Sequence, residues 1–133
     1  MFALIKKVFS KPFSNDEKII FGLLKERIPS ELRERFSAQV DAIKKSAPSP
    51  DQKSIVYEIN ANEIPSILPR NGKLVDLPGE FDFAEIHIRM FEQIQPFVLV
   101  VKEGFIHSLR LLEPIKDDSD LPEFSVTKFT LNH

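Results

Sequence analysis

The residues best equipped for chemistry in this chain are Glu85, His87 and Arg89, which alternate along one short stretch. On a β-strand the side-chain period of two sets all three on one face. There a base, an acid and an anion anchor would converge on a substrate. The polar side of a half-exposed strand has the same appearance, and the sequence flags no pocket beside it. His87 and His107, meeting across strands, with Glu85 as third donor, form the one arrangement suited to a transition metal. The remaining histidine is His133, and no close-spaced His pair occurs. Asp117, Asp118 and Asp120, followed by Glu123, offer hard oxygen ligands, but the glycine and spacing of a calcium loop are missing. Gly22, Gly72, Gly79 and Gly104 are isolated, so there is no phosphate-cradling loop. No nucleophile elbow or Ser/His/Asp grouping stands out. Cysteine is absent, which excludes disulfides, thiolate zinc sites and cysteine nucleophiles. The reading is a chain with no catalytic residue, no metal site and no cofactor.

Charge points instead to a partner. The net charge is −2, yet residues 1–53 carry a net +4 and residues 54–133 a net −6. The acidic half concentrates Asp76, Glu80, Asp82, Glu85 and Glu92, with Arg89 as the compensating cation, and continues in Asp117, Asp118 and Asp120. Such a surface would capture a basic protein. Phe81 and Phe83 share the parity of Glu85 and His87, so an unbroken strand sets two phenylalanines on that acidic face as apolar anchors. The expected partner-binding set is therefore Asp76, Glu80, Phe81, Asp82, Phe83, Glu85, His87, Asp117, Asp118 and Asp120. Nucleic acid is not expected: Lys6, Lys7, Lys11, Lys18, Lys25 and Arg27 are interleaved with Asp16, Glu17, Glu26, Glu31 and Glu34. Nor is a membrane, since the longest apolar runs are Ile19 to Leu24 and Phe97 to Val101. With no signal-peptide core after Met1 and no cysteine, the expected compartment is the cytoplasm.

These residues need elements to hold them. The 133 residues fit one domain, with a helical segment over 1–45, a linker over 46–52 and a β-rich segment over 53–133. Phe2, Ile5 and Phe9 follow helical spacing until Pro12. Ser14 and Glu17 form a capping box, and Ile19, Ile20, Leu23, Leu24 and Ile28 supply one apolar face. After Pro29, Ser30 caps a further helix marked by Leu32, Phe36, Val40 and Ile43, with Lys44 and Lys45 in its last turn. Beyond the linker the period changes to two. Strands are predicted around Ile55 to Ile59, Lys73 to Asp76, Ala84 to Met90, Phe97 to Lys102, Phe105 to Leu112 and Phe124 to Leu131. A helical turn falls within Asn62 to Leu68. The fold class is α+β, an N-terminal helical pair packed on an antiparallel meander of about five or six strands. The 12 phenylalanines, against one tyrosine and no tryptophan, build its core without polar atoms to satisfy.

The hairpin around Gly104 admits two registers. A two-residue turn pairs Val101 with Ile106, and a three-residue turn pairs Val101 with Phe105. The second is preferred because it gathers Phe97, Leu99, Val101, Phe105, Leu109 and Leu111 on one face. The segment from Val100 to Arg110 resembles a hairpin of immunity proteins from contact-dependent inhibition and related polymorphic toxin systems. Glu103, Gly104, Ile106 and Leu109 fit that pattern, and Arg110 stands where it has Glu. The resemblance implies a one-domain, non-enzymatic inhibitor of a bacterial toxin domain, and it transfers no site residue. The rival is a small-molecule or enzymatic site in a pocket between curved sheet and helices. There the element order is similar to that of the cone-shaped nuclear-transport-factor-like fold, and Glu85, His87 and Arg89 would face the pocket. A third expectation is self-association through the edge formed by Phe124 to Leu131.

Overall fold

Pro29 separates two helices in the computed structural model, which describes residues 15–51, 53–90, 93–111 and 124–132. The Phe2 to Phe9 helix, the Ser14 cap and the Asp117, Asp118 and Asp120 cluster lie outside the described residues. Helix α1 spans Asn15–Arg27 and α2 spans Ser30–Asp41. The strands are β1 (Ile43–Pro48), β2 (Ser54–Ile59), β3 (Glu80–Met90), β4 (Gln93–Lys102), β5 (Phe105–Leu111) and β6 (Phe124–Leu131). They form one antiparallel sheet in the order β1-β2-β5-β4-β3-β6. The α+β class is as expected. The meander is confined to β3, β4 and β5, because β2 adds to one side of it and β6 crosses back to the other.

Several local expectations shift. The apolar face of α1 turns to Ile20, Phe21, Leu24 and Ile28, while Ile19 is exposed and Leu23 only half-buried. Pro29, not Ser30, occupies the N-cap of α2, since its extended backbone already sets the entry angle. That helix stops at Asp41. Ile43, Lys44 and Lys45 belong to β1, as do Ser46, Ala47 and Pro48 of the expected linker, because antiparallel pairing with β2 captures this stretch. The helical turn comes early, at Ala61–Glu63, where the Asn60 side chain accepts the Asn62 N–H. Lys73 to Asp76 form no strand. They run beside the β4–β5 turn, where the Leu74 N–H bonds the Gly104 carbonyl.

The core lies between the helices and one face of the sheet. The Phe21 ring packs against Phe36 (5.9 Å) and edge-on to Tyr57 (5.2 Å). From the sheet come Ile55, Phe83, Ile86, Ile88, Phe97, Leu99, Val101, Ile106 and Leu109. The hairpin register departs from the preferred one. Glu103 and Gly104 both have positive φ (52° and 84°), which is the two-residue turn, with Lys102 opposite Phe105 and Val101 opposite Ile106. Ile106 therefore enters the core where Phe105 was expected. A bulge at His107 then moves the pairing by one residue, to Val100 with Ser108 and Leu99 with Leu109. Glycine is required at 104, since a Cβ there would stand 2.8 Å from both Lys73 Cβ and the Val75 carbonyl oxygen.

Gln39, Arg35 and Glu17 carry hydrogen bonds on the helix side. Gln39, fully buried on α2, donates to the Gly72 and Gly104 carbonyls (2.7 and 3.1 Å) and accepts the Ile106 N–H (2.8 Å). It ties helix, loop and hairpin together where β2 has diverged from β5. Arg35 donates to the Lys73 carbonyl nearby. Glu17, in the first turn of α1, is turned to the core. It is fully buried, and its Oε1 accepts the Tyr57 hydroxyl at 2.8 Å. Burial first, and then the Glu17 charge, hold the Tyr57 phenol well above its ordinary pKa.

Candidate functional site

A second bulge sets up the opposite face. In β3, Asp82 pairs with Val100 and Ala84 with Leu99, so Phe83 is an extra residue. A bulge of one residue reverses the parity of everything beyond it. Glu80 and Asp82, before it, therefore come to the same face as Glu85, His87 and Arg89, after it. Phe81 and Phe83 go with Ala84, Ile86 and Ile88 to the helix side. Phe83 is fully buried in the core and Phe81 packs partly against it. The expectation that they anchor a partner is thus corrected for Phe83, and Phe81 is turned to the wrong side of the sheet for that role.

The same bulges bring partners from β5. Arg110 reaches across β4 to Asp82, Nη2 to Oδ2 at 2.7 Å, while Nε2 of His107 lies 3.3 Å from Glu80 Oε1. His87 pairs with Glu85 on its own strand at 2.5 Å. Both bulges flank Val100, and the Asp82–Arg110 pair passes over the Val98 to Val100 stretch of β4, whose side chains are buried. Glu80 and Asp82 keep about half of their side-chain surface exposed (53% and 47%), so each has room for a further partner. Arg89 stands exposed at the far end of the row, opposite Ile94.

This geometry bears on three readings of the sequence. Glu85, His87 and Arg89 lie on the face away from the helices, so they do not line a cavity between sheet and helices. A groove of about 220 Å³ does run between α1 and α2, but Lys18, Phe21, Gly22, Lys25, Phe36, Ser37, Val40 and Asp41 line it. His87 and His107 do not converge. Their levels on β4, at Pro96 and at Val100 to Val101, are four residues apart, roughly 13 Å along the strand. Among the described residues no three His, Asp or Glu side chains are placed to hold a metal. The face is also not of one sign. Lys102 opposes Glu80, Lys128 stands beside His87, and Arg110 is paired to Asp82. Cations distant in sequence interleave with the acids because neighbouring strands supply every second column. Asp76 is exposed, but in the loop at the hairpin end, beside Glu103, whose Oε1 accepts the Gly79 N–H.

Arg110, His107 and Lys102 are the members that the expected partner-binding set left out. Their signal was available only in the registers of β4 and β5. The buried Glu17–Tyr57 pair was also missed, although a lone tyrosine among 12 phenylalanines is a mark of a hydroxyl with a task. Among the described residues no helix is long and apolar enough to cross a membrane. Compared with known proteins, the chain matches no family model, no curated protein and no solved structure.

Proposed function

We propose that this protein is a non-catalytic protein-binding module that docks its partner on the face of the sheet away from the helices. The observation that carries the reading is the pair of bulges at Phe83 and His107, which together place Glu80, Asp82, His107 and Arg110 in preformed pairs on that face. Bulges commonly re-aim side chains beside functional sites. Side chains already held by a neighbour lose little rotamer freedom on association, which favours binding. Half-exposed charges set register and speed encounter with a complementary surface. The partner is accordingly one that presents cations to Glu80, Asp82 and Glu85 and an acceptor to Arg110. The likeness of the β4–β5 hairpin to immunity proteins makes a bacterial toxin domain its most concrete form, in a cytoplasmic setting.

Co-expression tests it. A candidate bacterial toxin domain is expressed with and without the protein, and the D82K/E85K double variant is compared with the native chain. Growth should be rescued by the native protein only, with affinity for the purified toxin domain lowered at least about tenfold in the variant, or about 1.4 kcal/mol. Unchanged affinity in a variant with a native circular-dichroism spectrum would sink this surface as the site.

A further inference from the structure

The two edges of the sheet are built differently. β1 carries Lys44 and Lys45, ends at Pro48 and is bulged between Ile43 and Lys45. Cations, proline and a bulge are the devices that keep an edge from pairing. β6 has the sequence Phe-Ser-Val-Thr-Lys-Phe-Thr-Leu, mostly β-formers, with no proline and with Lys128 as its single charge. Among the described residues it pairs on one side only, with β3. Val126, Phe129 and Leu131 pack on the core yet stay half-exposed.

The order of apolar and polar residues in β6 is the same from either end. A shift at Thr127, between the Ile88–Val126 and His87–Lys128 pairs, sets positions 126, 129 and 131 on the helix side and 125, 128 and 130 on the other. An isologous interface needs this symmetry, because residue i meets j and j meets i. With a two-fold axis between Thr127 and Lys128, two antiparallel copies set Phe124 opposite Leu131 and Val126 opposite Phe129. Ser125 then faces Thr130, Thr127 faces Lys128, and no lysine meets a lysine. We propose that β6 joins a second copy of this chain edge to edge in that register, making one continuous sheet. The Val126–Phe129 pairs extend the core layer across the junction and cover what β6 leaves half-exposed there. The hydroxyl pairs continue the polar face.

Light scattering on the full chain reads the outcome. The native protein should be a dimer at micromolar concentration. The S125K/T130K variant sets lysine against lysine twice, at two exposed positions, and should raise the dimer Kd at least about tenfold. S125E/T130K sets glutamate against lysine at the same places and should remain dimeric. The chain has no native cysteine, so mixing S125C with T130C protein under oxidation should give a covalent dimer. A monomeric native protein, a dimer indifferent to S125K/T130K, or failure of the mixed pair to cross-link overturns the proposal.

Discussion

The helix side of the sheet holds polar groups that are fully buried and committed to fixed partners, Gln39 to three backbone groups and Glu17 to Tyr57. The outer face holds more of them, half-exposed and paired with one another, as in Asp82–Arg110 and Glu80–His107. The difference is one of solvent. A buried donor left unpaired loses its water as well as its partner, whereas a surface pair that separates is rehydrated. Side chains on the helix side are therefore tied to stability. Those on the outer face are free to serve recognition at little cost to the fold.

Replacing Gln39 with Leu is the sharpest way to break that contrast. It orphans the Ile106 N–H and the Gly72 carbonyl in a buried site, and should lower unfolding stability by about 3 kcal/mol in a urea titration. Tyr57→Phe comes next, at about 2 kcal/mol near neutral pH, since the Glu17 carboxylate loses its phenol donor. Its pH dependence is distinctive. The folded phenol titrates above the unfolded one, so its contribution is whole below about pH 10 and is lost as pH rises through the folded value. The native protein should therefore lose stability in strong alkali faster than the Phe variant, and parallel pH profiles would refute the pairing. Asp82→Ala should be the mildest, about 0.5 kcal/mol, with the thermal midpoint nearly unchanged. A loss there as large as that of Gln39→Leu would erase the distinction between the faces.

Much of the fold is legible residue by residue. The helix break at Pro29, the alternation from Ile55 and from Ala84, and the presence of a glycine turn at 104 are local signals with local causes. The bulge at Phe83 was half-legible. Apolar residues occupy odd positions at Phe81 and Phe83 and even positions at Ile86 and Ile88, and a strand keeping one face buried must insert a residue between them. Assuming unbroken alternation put both phenylalanines on the acidic face. The fate of Ile43 to Lys45 was not legible, because their helical spacing is genuine and only the presence of β2 outweighs it.

The sequence by itself determined the class of this protein: helices before strands, a phenylalanine-built core, no cysteine chemistry and no phosphate loop. These features arise from composition and short-range periodicity, which act within a few residues of the chain. Tertiary structure alone decided which charges meet. Asp82 and Arg110 are 28 residues apart, and they touch because bulges in two strands flank the same residue of a third. The asymmetry between β1 and β6 likewise has meaning only once strand order makes both of them edges.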